Sequence, residues 1–268
     1  MPRGRWPLHY WKRTVAVAVL AAAGAGVSLP VWAISPTHPD NLQLRVATAA
    51  NFLTACERLG AAFERRSGIA VEVVAGSTGK LYAQIMQGAP FDLFLAADAA
   101  RPEKLATNGA GLSSSRVTYA LGKLVLWAPG RSIAGRGAAV LEAAHFRHLA
   151  IANPRTAPYG AAAVETLEHL GLGRRLGPRL VRGEDVGQTF GFVAGRAAEL
   201  GFVALAQVEA RRRPRREYWL VPSTLYHPIE QQAIIVRGGQ RRAAARFVAF
   251  LRGAEGRKVI EDLGYGVP

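Results

Sequence analysis

The chain has a single cysteine, Cys56, among its 268 residues. That excludes a disulfide framework and a zinc site built on several thiolates. Acidic residues are also scarce: 19 Asp and Glu stand against 34 Lys and Arg, a formal net charge of +15. No apolar run reaches the roughly 20 residues that a membrane-spanning helix needs. The run from Val15 to Leu29 holds two glycines and stops at Pro30. What is present is apolar material, 50% of all residues. A full hydrophobic core is therefore available, and wholesale disorder is excluded. The length suits one large domain or two lobes.

The N-terminus has the order of a secretory leader. Arg3, Arg5, Lys12 and Arg13 precede the apolar run, and Val31-Trp32-Ala33 gives a small-x-small ending. Residues 1–33 are expected to be a signal peptide cleaved near Ala33, with no cysteine near the site to carry a lipid. Cleavage removes four basic residues and no acidic ones, so 15 − 4 leaves about +11. The charge excess invites a nucleic-acid reading, which fits an exported chain poorly.

Downstream, short β-type runs alternate with helical spacing. Strands are expected at 42–46, 71–74, 92–96, 123–127, 149–152, 179–182, 201–204, 219–221 and 233–236. Apolar residues at helical intervals lie between them: Phe52/Cys56/Leu59/Phe63, Leu81/Ile85, Val164/Leu167/Leu170 and Phe247/Phe250/Leu251. This is an α/β pattern with mostly parallel strands, too many for one small sheet. Two open sheets, each flanked by helices, fit it better. Cys56 falls on the apolar stripe of the first helix and reads as a core residue.

In such sheets ligands gather at the carboxyl ends of strands, where helices begin. Four junctions stand out: Thr48-Ala49-Ala50-Asn51, Gly76-Ser77-Thr78-Gly79, Asn153-Pro154 through Ala157-Pro158-Tyr159-Gly160, and Gly183-Glu184-Asp185-Val186-Gly187. Each puts small, hydroxyl or amide residues at a helix start. Such residues are ordinary N-caps; the same geometry also presents free N–H groups to an anion. None of the four carries a dedicated cation apart from Lys80 beside the second. Donors without acceptors suit a fully ionised anion, whereas a protonated ligand would want a carboxylate such as Glu184 or Asp185 facing it.

These segments, together with Gly88-Ala89-Pro90-Phe91-Asp92-Leu93-Phe94-Leu95-Ala96-Ala97-Asp98, Tyr119-Ala120-Leu121-Gly122-Lys123-Leu124-Val125-Leu126-Trp127 and Leu200-Gly201-Phe202-Val203-Ala204, resemble the periplasmic molybdate-binding proteins of ABC transporters. The likeness runs in order from about Leu42 to Pro268. It implies a type II periplasmic-binding fold of two α/β lobes with a ligand cleft between them. Lobe 1 would hold 41–120 plus 227–268, and lobe 2 would hold 121–226. It implies a periplasmic monomer that takes molybdate or tungstate, hands it to an inner-membrane permease, and needs no cofactor and no cation site. Carried over by motif, Ala50 gives a backbone N–H, Asn51 backbone and side-chain amide donors, and Thr78 its hydroxyl and N–H. Ser77 is a further contact, and Tyr159 and Val186 give backbone N–H groups from the second lobe. Two positions depart from the pattern: Asn51 stands where many relatives have Ser, and Ala204 where many have a ligand-binding Tyr.

Other readings compete. Sulfate or another tetrahedral oxyanion would use the same donors. Arg211-Arg212-Arg213-Pro214-Arg215-Arg216, followed by Tyr218 and Trp219, could serve a nucleic acid by phosphate contact and stacking; a solvated loop is the plainer expectation. His145, His148 and His169 have no cysteine to join them as metal ligands. An enzyme would need Ser77 or Thr78 as nucleophile, and no Gly-x-Ser-x-Gly elbow is present.

Overall fold

A computed structural model describes residues 43–268. The expected leader, with its basic residues and Ala33, lies outside the described residues. Ten strands form two five-stranded sheets. The first, in the order β2-β1-β3-β10-β4, contains β1 (Gln43–Ala49), β2 (Ala70–Gly76), β3 (Leu93–Leu95), β4 (Val117–Gly122) and β10 (Ile229–Ile235). The second, in the order β7-β6-β8-β5-β9, contains β5 (Leu124–Trp127), β6 (Leu149–Ala152), β7 (Leu180–Gly183), β8 (Leu200–Ala204) and β9 (Tyr218–Leu220). β1, β2 and β3 run parallel, as do β6, β7 and β8, while β10 and β5 run against their neighbours.

The helices are α1 (Leu53–Ser67), α2 (Thr78–Met86), α3 (Ala100–Thr107), α4 (Gly137–Ala143), α5 (Pro158–His169), α6 (Gly173–Leu176), α7 (Val186–Ala194), α8 (Leu205–Ala210), α9 (Arg241–Arg252) and α10 (Ala254–Asp262). They cover the sheets because parallel strands are apolar on both faces. One face of the first sheet packs on Phe52, Leu59 and Phe63 with Phe247 and Ile260. The other packs on Leu81 and Ile85 of α2 and Leu105 of α3. The second sheet has its own core of Leu124, Leu126, Leu141, Leu167, Phe190 and Phe202. Trp127 lies flat on Phe190, with ring centres 4.6 Å apart. Cys56 is buried, and burial pushes its thiol up to about 12.

The nine expected strands all fall on observed ones, and β4 is the addition. Its pattern is irregular for a physical reason. Gln231 pairs with Ala120 and Gln232 with Thr118, so Tyr119 is an extra residue in the ladder. A bulge of this kind breaks the period of two that marks a strand. The run through β4, Lys123 and β5 takes the chain from the first sheet to the second, and the run from β9 to β10 takes it back. β10 also begins earlier than the expected 233, at Ile229.

No helix among the described residues is long and apolar enough to cross a membrane. Phe247 is fully buried and meets Phe63 edge-on at 5.1 Å. Phe247→Ala should destabilise the chain by about 3–5 kcal/mol, measured by urea unfolding.

Candidate functional site

Two sheets ending at a common point make the site. β1 runs into a short 3-10 turn, Ala50–Phe52, and β2 runs through Ser77 into α2. From the other sheet, β6 leads to α5 and β7 leads to α7. Local sequence fixes each helix start. Ser77 caps α2 by accepting the Lys80 N–H, and Asp185 caps α7 by accepting the Gln188 N–H at 2.9 Å. Pro158 opens α5, where a missing N–H costs nothing.

Ala50, Asn51, Ser77, Thr78, Tyr159 and Val186 all line one small cavity. Ala49, Gly76, Ala97, Ala157, Pro158 and Asp185 complete its wall. Asn51, Ser77, Thr78, Tyr159 and Val186 are each buried. None of these lining residues carries a positive side chain. The N–H groups of Thr78, Tyr159 and Val186 lie in first helical turns, where the helix supplies no acceptor, and none of them meets another backbone acceptor among the described residues. The Thr78 hydroxyl oxygen accepts the Ala97 N–H at 3.1 Å, which leaves its own proton to donate. The Ser77 oxygen is likewise occupied as an acceptor.

Asn51 differs from expectation in one respect. Its side-chain amide donates to Gln231 Oε1 at 2.9 Å and to the Tyr265 hydroxyl at 3.2 Å. Both amide hydrogens are thus used inside the protein, while its backbone N–H meets no backbone acceptor beyond its own turn among the described residues. Gln207 stands near Ala204. Its Oε1 accepts the Ala204 N–H and its Nε2 donates to the Val186 carbonyl, both at 3.1 Å, which anchors the start of α7. Gln207, Gln231 and Tyr265 were not candidates from sequence. The available signal was a glutamine at an inward position of an alternating strand, since Ile229, Gln231 and Ala233 share the buried face.

Lys80, Glu184 and Asp185 beside the cavity are spoken for. Lys80 forms an ion pair with Glu184 across the mouth of the cavity, and both side chains are solvent-exposed. Asp185 accepts from its own helix. Beside the ion pair the Gly79 N–H donates to the Thr156 carbonyl at 2.8 Å, and Arg101 Nη2 donates to the Arg155 carbonyl at 3.0 Å. These three contacts join α2 and α3 of the first lobe to the β6–α5 loop and the start of α7. A side chain at Gly79 would place its Cβ 3.0 Å from Thr156 Cα and 3.1 Å from the Thr156 oxygen.

This chain matches the family described as bacterial extracellular solute-binding protein over residues 44–266. It belongs to that family. The molybdate-binding protein ModA of Azotobacter vinelandii is 45% identical over 227 residues, 84% of this chain and 90% of that protein. ModA of Rhodobacter capsulatus is 41% identical over 220 residues, 82% of this chain and 86% of that protein. The solved periplasmic molybdate-binding protein of A. vinelandii superposes with a TM-score of 0.79 at 42% identity, covering 84% of this chain and 99% of that one. The sulfate-binding protein SubI of Mycobacterium tuberculosis has a TM-score of 0.64 at 12% identity, which shows the shared fold alone. The fold of this solute-binding family member, two mixed α/β sheets flanked by helices, is the one the sequence led one to expect.

The conspicuous residues elsewhere take structural parts. In this member of the family Arg211, Arg213 and Arg215 lie over Phe190, Trp127 and Tyr218, with guanidinium-to-ring distances of 4.4, 5.3 and 4.6 Å. The segment is therefore a cover over aromatic core residues, more than the solvated loop expected. Tyr218 and Trp219 are buried and offer no face for a base to stack on. No cluster of potential metal ligands occurs among the described residues. His227 instead pairs with Glu165, and His169 Nδ1 meets the Glu165 carbonyl.

Burial pushes the Tyr119, Tyr159 and Tyr265 phenols well above their ordinary value of 10.0. The folded chain therefore keeps them protonated where the unfolded chain ionises. Their contribution is intact below the unfolded value and is lost as pH rises beyond it, by about 1.4 kcal/mol per pH unit for each such group. Thermal unfolding followed from pH 8 to 11.5 should show a steep loss of Tm beginning near pH 10. Gly79→Ala should hold the lobes apart at the rim: small-angle scattering should give a larger radius of gyration, with an unchanged far-UV circular dichroism spectrum.

Proposed function

We propose that this chain is a periplasmic substrate-binding protein. It captures molybdate or tungstate and delivers the oxyanion to the permease of an ABC transporter in the inner membrane. It is exported by a leader cleaved near Ala33, acts as a monomer, needs no cofactor and catalyses no reaction. Residues 41–120 with 227–268 move as one lobe and residues 121–226 as the other. Ala50, Asn51, Ser77, Thr78, Tyr159 and Val186 hold the ligand. The identity to proteins named for molybdate binding supports the reading.

One observation carries it: uncharged donors from both lobes converge on a single cavity whose neighbouring carboxylates are turned to other partners. A buried charge is costly unless hydrogen bonds replace its water. Bonds to a charged group contribute about 1.5–3 kcal/mol each, so several together offset the desolvation of a dianion. A ligand that kept a proton would find no free carboxylate to accept it, which disfavours phosphate. Sulfate has the right charge and shape but is smaller, and it lengthens several bonds at once. Because α2 supplies donors from one lobe and α5 and α7 from the other, the full shell exists only when the lobes meet, and closure reports ligand to the permease.

Titration calorimetry on the mature chain should give tight binding of molybdate and tungstate, with sulfate and phosphate much weaker. Equal affinity for sulfate overturns the molybdate assignment and leaves the anion site standing. Thr78→Val keeps the shape and removes one hydroxyl, a donor to the cavity that also accepts the Ala97 N–H. It should weaken molybdate about 10- to 150-fold, the equivalent of one charge-assisted bond.

A further inference from the structure

Gln231 does not line the cavity, yet the two walls of the cavity meet on its side chain. It lies on β10, fully buried, opposite the bulge that inserts Tyr119 into β4. Asn51 Nδ2 donates to its Oε1 at 2.9 Å, and the Tyr119 hydroxyl lies 3.1 Å from the same oxygen. Its Nε2 donates to the Tyr159 hydroxyl at 3.4 Å. Asn51 belongs to the first wall, at the end of β1, and Tyr159 to the second, at the start of α5.

The pattern leaves no freedom in the carboxamide. Asn51 Nδ2 claims the oxygen, together with the Tyr119 hydroxyl, whose single proton is shared with the Ala96 carbonyl at 3.2 Å, so the nitrogen faces Tyr159. Tyr265 closes the other side: its hydroxyl donates to the Asn51 carbonyl at 2.7 Å and accepts from Asn51 Nδ2. The space for the Gln231–Tyr159 contact exists because residue 122 is glycine. A Cβ there would lie 2.4 Å from the Tyr159 hydroxyl and 2.9 Å from Gln231 Nε2. Every partner is buried, so the contacts are worth more than they would be in water, and a missing partner is correspondingly costly.

We propose that Gln231 is a positioning residue that couples the two halves of the ligand cage, fixing Asn51 on the first-lobe side and receiving Tyr159 from the second lobe as the lobes meet. The inference rests on reading the cleft as an oxyanion site. It deepens that reading by naming the group through which one wall senses the other. The backbone N–H of Tyr159 stays at the cavity while its hydroxyl touches the hinge strand, so ordering either end of this side chain orders both. Loss of the contact leaves the cage donors in place but no longer set together. Its effect falls on how long ligand is held rather than on how fast it enters.

Stopped-flow binding of sodium molybdate to the mature chain tests this with Tyr159→Phe, Gln231→Met and the double variant. Tyr159→Phe removes one hydroxyl and keeps the backbone donor and the ring. Each single variant should raise koff about tenfold with kon changed less than about threefold, and the double should be no more than about twofold worse than Gln231→Met. Two groups acting through one contact are non-additive in this way, whereas two independent packing losses multiply. An unchanged koff in Tyr159→Phe overturns the coupling, and so does a double variant equal to the product of the singles. Should Gln231→Met not fold, Gly122→Ala replaces it, since the added methyl displaces the Tyr159 hydroxyl; an unchanged koff there overturns the proposal as well. Wild-type protein that fails to bind molybdate sinks the oxyanion reading, while normal wild-type binding with unaffected variants sinks the coupling alone.

Discussion

Helix starts that leave N–H groups without acceptors are the constraint on which this molecule is organised. An α-helix cannot satisfy its own first donors. A protein must cap them, wet them or give them a ligand. Here Ser77 and Asp185 cap the later donors of α2 and α7. The first N–H groups, at Thr78 and Val186, are left at the wall of a shared cavity with that of Tyr159. The two sheets place these starts opposite one another because β2, β6 and β7 all run toward the cleft before their helices begin. Sheet direction, helix order and the position of the cavity are then one geometric fact.

The alternation of apolar runs made the fold readable, and nine strands fell where it put them. β4 escaped because Tyr119 is an extra residue in its ladder, and period-two reading has no place for one. The cage residues were legible as junction residues, since Asn, Ser, Thr and Pro at a helix start are chosen locally. Which way their side chains turn was not legible. Asn51 looks from sequence like a donor to the ligand, yet its amide is committed to Gln231 and Tyr265, residues 180 and 214 positions away. Lys80 looks like the cation of the site, yet Glu184 neutralises it across the rim. The Asn51 contacts depend on the end of the chain returning to the first sheet, and the Lys80 contact on how the two lobes meet; no window of neighbouring residues contains that information.

The charge excess also changes meaning. Five arginines of the densest basic run surround Pro214, and three of them lie over aromatic rings of the second lobe. Their stems and guanidinium planes shield core surface while the charge stays in solvent. The positive field so created can draw anions from a distance, while the cavity wall itself carries no positive side chain.

The place of β10 has a consequence for how the chain comes to be made. This strand is nearly the last to be synthesised, and it sits between β3 and β4 in the first sheet. Until residue 235 has emerged from the ribosome, β3 and β4 have no common neighbour, and the sheet carries a gap with two open edges. The second lobe, by contrast, has all five of its strands by residue 220. The lobe encoded in the middle can therefore finish first, and the lobe that begins the chain must wait for its end. Such an order delays closure of the whole until translation is nearly complete.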